Sequence, residues 1–213
     1  MSLLDHPNES TVWRSNFHTG KVASVSFSSS TINPLIASAS DDGLVAVHDM
    51  RANGSSNSSV VVSLDDTHVK PHSAVWKPNS DSTFITAGLD DVIKLWDLRN
   101  TGKPVMTGSF HGHVPMSGRK LKRIHRPTFF SNGSSNSESF ILSGGENSHA
   151  ISMFEVDQAN VDLYSLEPSL LRSVFSRGKL PDGSGDVGSM AVHSDQVAVT
   201  VEGGEVIILQ PKS

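Results

Sequence analysis

Two pairs of adjacent carboxylates, Asp41-Asp42 and Asp90-Asp91, open the segments DDGLVAVHDMR and DDVIKLWDLR. Paired carboxylates suit general acid–base chemistry when both face one cleft. Here each pair stands in a turn before an alternating apolar run, and turn aspartates usually bond neighbouring backbone instead. The turn role therefore outweighs the catalytic one. The chain has ten histidines, and in His111-Gly112-His113 the alternation of an extended chain would put two imidazoles on one side as a metal clip. His125 and His149 follow, but no third ligand stands at a recognisable spacing, so no metal is expected. The sequence has no G-x-S-x-G elbow, phosphate loop, dinucleotide fingerprint or H-E-x-x-H. The Gly-rich DGSGDVGS (182–189) precedes an expected strand, whereas a phosphate cradle needs a helix N-terminus. The chain is read as non-enzymatic and without a cofactor.

Two features suit partners rather than reactions. In Asp49-Met50-Arg51 and Asp97-Leu98-Arg99 the one-residue spacing puts carboxylate and guanidinium on the same side of a strand end. The two can pair and present a planar fork of donors. The run GRKLKRIHR concentrates Arg119, Lys120, Lys122, Arg123 and Arg126, a patch able to contact phosphates or to act as a nuclear-localisation segment. No aromatic residue interleaves with these charges, so base stacking is not indicated, and a solvated loop and strand edge is the favoured reading.

The chain as a whole is acidic, with 17 Lys plus Arg against 22 Asp plus Glu and a net charge of -5. Bulk electrostatics thus disfavours nucleic acid and anionic membranes. The absence of cysteine removes disulfides, thiol catalysis and Cys-containing zinc sites, and suits a reducing compartment. No secretory signal is read at MSLLDHPNES, and no apolar run approaches the roughly 18 residues a membrane helix needs. A cytoplasmic or nuclear protein without membrane insertion is expected.

Strands must position these residues. Apolar residues alternate in VASVSF (22–27), LVAVHDM (44–50), VIKLWDL (92–98) and AISMFEV (150–156), the period of a half-buried strand. Clusters of Gly, Asp, Asn, Pro and Ser between them favour turns. Only 162–175 carries a helical pattern, and Pro168 interrupts it. The chain is therefore all-β. The strands repeat as a lone strand followed by three more, over 11–51, 59–99, 105–157 and 170–210, one repeat domain in four units. Insertions rich in Ser, Asn and Gly, at 52–59 and 131–139, lengthen the spacing without adding chemistry.

These units resemble the WD-repeat β-propeller family, whose repeat carries a GH, a Ser or Thr ending the second strand, a turn Asp and a closing WD. The second unit matches at His68, Thr86, Asp90 and Trp96-Asp97; the first at His18, Ser38 and Asp42, with His48-Asp49 at the WD position. The third keeps Ser143, with Asn147 at the turn and Phe154-Glu155 at the end; the fourth keeps Thr200, with Gly203-Gly204 and Leu209-Gln210. The resemblance implies a buried relay through His18, Ser38 and Asp42, and through His68, Thr86, Asp90 and Trp96, in which each polar group finds a partner.

It also implies that the lone strand at 11–17 completes a blade against 205–209. Propellers have about four to eight blades, so four units imply an incomplete, half propeller rather than a closed ring, with strand edges and apolar faces in need of cover. The implied function is a non-catalytic protein-interaction scaffold whose partners are other proteins. Consecutive repeats ending W-D-x-R are typical of substrate receptors that dock on the adaptor of cullin–RING ubiquitin ligases, which gives Asp49, Arg51, Asp97 and Arg99 a docking role. The alternative is an RNA- or phosphoinositide-associated propeller using the basic run at 119–126.

Overall fold

The computed structural model describes residues 2–5, 10–30, 32–52, 59–65, 67–90, 92–109, 126–131, 139–144, 151–156, 187–193, 196–201 and 203–209. All the regular elements among them are strands. In chain order they are β1 (Ser2–Asp5), β2 (Ser10–Arg14), β3 (Val22–Phe27), β4 (Leu35–Ser40), β5 (Val45–Asp49), β6 (Val60–Leu64), β7 (Pro71–Trp76) and β8 (Thr83–Gly88). There follow β9 (Val92–Asp97), β10 (Met106–Ser109), β11 (Thr128–Ser131), β12 (Ser139–Ser143), β13 (Ser152–Glu155), β14 (Val187–His193), β15 (Gln196–Val201) and β16 (Glu205–Leu209). The tempting helix at 162–175 lies outside the described residues.

The repeat is visible as sheets. Two have four strands, β3-β4-β5-β6 and β10-β9-β8-β7; two have three, β11-β12-β13 and β14-β15-β16; and β1 pairs with β2. These are the blade-type meanders of an incomplete propeller. The expected pairing of 11–17 with 205–209 is corrected: β2 runs antiparallel to β1, with Leu3 opposite Trp13. Ser2–Asp5 carries apolar Leu3 and Leu4 and supplies a local partner at a far smaller loop-closure cost than a strand almost two hundred residues away.

Contacts group the chain into two compact units, 1–88 with 95–104, and 89–94 with 105–213. In the first, Leu35, Ala37, Ala39, Val45, Val47 and Leu64 pack on Ala74, Trp76, Phe84 and Trp96. One face of the β3–β6 sheet thereby covers one face of the next. The alternation explains how. Ser24 and Ser26 share the covered face of β3 and bond the neighbouring strand, Ser26 Oγ accepting from Trp76 N–H at 2.9 Å and Ser24 Oγ from Ala74 N–H at 3.3 Å. In the second unit Phe130, Phe140, Leu142 and Met153 pack on Val187, Val197, Val199, Val201 and Leu209. Gly144 is required there, because a Cβ at that position would lie 2.6 Å from a Val187 methyl.

Pairing register also corrects one assignment. Val25 faces Ser38 and Ala74 faces Thr86, each two rungs past a register shift. In the last sheet the same rung pairs Met190 with Val199, and Thr200 stands one residue further on. Thr200 is therefore not a relay hydroxyl. It bonds Ser189 instead, at 2.8 Å to the backbone N–H and 3.0 Å to Oγ, holding the shift in place. Alternation turns a one-residue offset into the opposite face of the sheet.

Candidate docking site and its buried supports

The strand ends that carry the two arginines are built alike. Met50 N–H donates to Pro34 at 3.1 Å after β5, and Leu98 N–H donates to Ser82 at 2.8 Å after β9. Each bond ties the start of the turn to the loop before the adjacent strand. The aspartate that ends the strand then organises the turn. Asp49 Oδ1 accepts the Arg51 backbone N–H at 2.9 Å, as Asp97 Oδ1 accepts that of Arg99 at 2.9 Å.

The side chains close a fork on the same carboxylates. Arg51 Nε lies 3.0 Å from Asp49 Oδ1 and Nη2 lies 2.6 Å from Oδ2; the corresponding distances for Arg99 and Asp97 are 2.9 and 2.5 Å. Hydrogen bonds from the guanidinium hold both aspartates below the usual carboxylate range and raise the pKa of both arginines, so all four groups stay charged. The arginine side chains remain outside, 56% and 79% exposed, whereas their aspartates are largely covered. As surface ion pairs these add little stability. Their effect is orientation: each fork fixes a guanidinium with donors still directed outward.

One contact was not legible in the spacing. Arg51 Nη1 donates to Asn33 Oδ1 at 2.7 Å. Asn33 sits in the loop before β4, 18 residues away, and no local pattern marks it. This second anchor accompanies the lower exposure of Arg51.

The same two blades hold the relays. In the first blade His18 Nδ1 meets Asp42 Oδ2 at 3.1 Å and Nε2 meets Ser38 Oγ at 2.8 Å, while Ser38 Oγ meets His48 Nε2 at 2.9 Å. Asp42 also accepts the N–H of Thr19 at 2.9 Å and of Leu44 at 3.1 Å. Burial works against its ionisation, but the hydrogen bonds with Leu44, Thr19 and Ser40 and the neighbouring His18 outweigh it and set its pKa at about 2. With these lone pairs committed, Asp42 acts as a turn acid.

In the second blade Trp96 Nε1 donates to Thr86 Oγ1 at 2.8 Å. An indole N–H can only donate, so the Thr86 hydroxyl accepts there, and the same oxygen meets His68 Nε2, also at 2.8 Å. Asp90 stands in the turn between β8 and β9. His48 takes the place of this tryptophan in the first blade, and Trp13 meets it edge-on with ring centroids 5.6 Å apart. Trp13 in turn donates Nε1–H to Ala52 at 3.2 Å. Burial, and then the charge of His18, lower the His48 pKa to about 4. Its Nδ1 is buried without a hydrogen-bond partner among the described residues.

Of the basic run, Arg126 is described: it is exposed and its backbone N–H donates to Gly144 at 3.0 Å. Arg119, Lys120, Lys122 and Arg123 lie outside the described residues, as do His111, His113, His125, His149, Asp91 and Asn147.

No protein-family model matches the sequence. A segment of 78 residues is 35% identical to a U5 small nuclear ribonucleoprotein 40 kDa protein of Dictyostelium discoideum, covering 37% of this chain and 20% of that protein. A segment of 93 residues is 37% identical to a ribosome biogenesis protein WDR12 homolog of Ixodes scapularis, covering 43% and 21%. The chain thus spans about a fifth of the length of the curated relatives it matches. Among solved structures, the Dos1 propeller matches with a TM-score of 0.65 at 16% identity, over 98% of this chain and 46% of that one. The WD40 β-propeller domain of Doa1 matches at 0.62 and 18%, over 96% and 56%. The computationally designed Ika4 protein matches at 0.61 and 15%, over 94% and 98% of its own length. Identities this low establish the fold alone.

Proposed function

We propose, on the premise of the WD-repeat β-propeller family that the relatives and the fold support, that the chain is a non-catalytic interaction scaffold whose Arg51 and Arg99 dock a protein partner. The observation that carries this reading is the repetition of one exposed fork, with matching donors, acceptors and backbone ties, at equivalent strand ends of adjacent repeats. Charged groups held in place beforehand lose less freedom on binding than free side chains do. A bidentate guanidinium also discriminates by shape as well as charge.

The specific partner proposed is the adaptor of a cullin–RING ubiquitin ligase, with the chain as a substrate receptor in the nucleus or cytoplasm. Changing both Arg51 and Arg99 to alanine is expected to abolish capture of that adaptor from a cell lysate. Both side chains are exposed, so the fold should survive, as circular dichroism would verify. Undiminished capture by the folded double variant would sink the reading.

A further inference from the structure

The loop before β4 is braced by its own hydroxyls. Ser28 N–H donates to the Leu35 carbonyl at 2.9 Å across the base of the loop, and Ser28 Oγ accepts the Leu35 N–H at 3.1 Å. The same hydroxyl donates to the Asn33 carbonyl at 3.3 Å, and Ser30 Oγ accepts the Asn33 N–H at 3.1 Å. Asn33 is thereby set to hold Arg51 Nη1 through its side chain. Ile32, the residue before it, is 81% exposed. Phe27 ends β3 on the same rim and is 54% exposed, although Ile36 and His48 beside it in the sheet are buried. A single exposed apolar side chain needs no explanation. Two of them joined by a braced loop to an oriented guanidinium do, because aromatic and arginine side chains are what the centres of protein interfaces are enriched in.

The second blade supplies the contrast. Its bonds from Lys77 N–H to Thr83 and from Leu98 N–H to Ser82 correspond to those from Ser28 to Leu35 and from Met50 to Pro34. These ties align Asn33 with Asp81, Ile32 with Ser80 and Phe27 with Trp76. Trp76 is buried, and Ser80 Oγ accepts the N–H groups of Ser82 and Thr83. Asp81 is exposed and makes no hydrogen bond to Arg99 among the described residues. The fork repeats but its surroundings do not: they are apolar and neutral at Arg51, polar and acidic at Arg99.

We infer that the Arg51 rim takes an acidic–apolar segment of a protein partner, its carboxylate on the guanidinium and its neighbouring apolar side chain on Ile32 and Phe27. This rests on the reading of Arg51 as a docking residue and says what docks there. Arg51 gives Nε–H and one Nη2–H to Asp49 and one Nη1–H to Asn33. One N–H is left on each terminal nitrogen, enough for the two oxygens of one carboxylate. Asn33 serves the guanidinium without adding a charge, whereas an aspartate in its place, as at Asp81, would repel an acidic partner. Apolar contact beside the guanidinium excludes water and so strengthens the charged hydrogen bonds.

Nuclear magnetic resonance titration of the full chain with the peptide acetyl-Leu-Glu-Leu-amide tests this. Saturable shifts are expected at the Ile32 methyls, the Asn33 side-chain amide and Arg51 Nε. The same peptide with Gln for Glu, or with Ala for both Leu, should each bind roughly threefold more weakly or worse, since each keeps only one half of the recognition. Ile32→Asp and Asn33→Asp should both weaken binding of the Leu-Glu-Leu peptide, and Ile32→Ser serves if the aspartate variant lacks a native circular dichroism spectrum. Val69→Asp, exposed at the other end of the strands, should bind as the wild type does. Absence of shifts, or equal binding of the three peptides, overturns the inference even if the ligase adaptor is captured through the forks. Discrimination among the peptides by a chain that does not bind the adaptor upholds the inference and overturns the adaptor reading alone.

Discussion

Replacing Trp96 by alanine is expected to destabilise the protein by about 3–5 kcal/mol, the range for truncating a buried tryptophan. A domain has only about 5–15 kcal/mol in total, so little folded protein should survive modest denaturant. Two losses add. The indole lies in the cluster with Leu35, Ala37, Trp76 and Phe84, where Trp76 and Phe84 meet with ring centroids 5.3 Å apart. Its removal leaves a void between two sheets whose backbones are fixed by their own ladders, so the site cannot collapse to fill it. The Thr86 hydroxyl, fully buried, also loses its 2.8 Å donor. Trp96→Phe separates the two effects: it keeps most of the ring packing and removes the N–H, for a cost of about 1–3 kcal/mol. Urea denaturation, read as a midpoint at constant slope, measures both. A Trp96→Ala variant as stable as the parent would mean that the two blades do not share this core.

The second large effect is a loss of stability in mild acid that originates at His48. In the unfolded chain its imidazole titrates near 6.5, and in the fold near 4. Below 6.5 the unfolded chain therefore binds a proton that the folded one refuses, and stability falls as pH falls. The contribution is fully present above pH 6.5, declines between 6.5 and 4, and is gone below 4; its size is about 3 kcal/mol at about 1.4 kcal/mol per pH unit. Protonation would put a charge beside His18 and under Trp13, with Nδ1 buried and unpaired. His48→Phe removes the titration, so the difference in unfolding free energy between the two proteins should shrink by about that amount from pH 7 to pH 4. A difference that is flat across this window would contradict the burial of a neutral imidazole. Asp42 marks a separate window. Its pKa is depressed from 3.8 to about 2, so its contribution of about 2 kcal/mol is present above pH 3.8 and is lost only as pH falls towards 2. Asp42→Asn should leave the loss between pH 6.5 and 4 in place.

Most of the fold can be read from alternation and turn residues, because period two and short loops are local properties. VIKLWD becomes β9 with Ile93, Leu95 and Trp96 buried as the pattern announces, and VASVSF becomes β3, where Ser24 and Ser26 face the neighbouring sheet and Val25 and Phe27 are exposed. The relay of the first blade was implied by the family resemblance, and His18, Ser38 and Asp42 do meet, at 2.8–3.1 Å. Three features were not legible, each for a physical reason. The partner of β2 is decided by which apolar strand lies nearest along the chain, and Leu3-Leu4 wins locally. Thr200 stands one rung from the relay position because strand register, which puts Val199 at the rung held by Ser38 and Thr86, is invisible in residue types. Asn33 on Arg51 is a contact between two loops, and loops carry no periodicity. Val25, Phe27, Val206 and Ile208 look like core in the sequence and are exposed in the structure, because alternation marks a strand without saying which of its faces is covered.

Two oriented guanidiniums, rather than a diffuse positive surface, are proposed to receive the partner. Titrating purified ligase adaptor into the folded chain and following the heat of binding tests it most directly, with Arg51→Lys/Arg99→Lys beside the wild type. Lysine keeps the charge but has no fork. Saturable binding by the wild type is expected, with a loss of at least tenfold in affinity for the lysine pair, about 1.4 kcal/mol. Equal affinity for the two proteins, or no binding by the wild type, would contradict it.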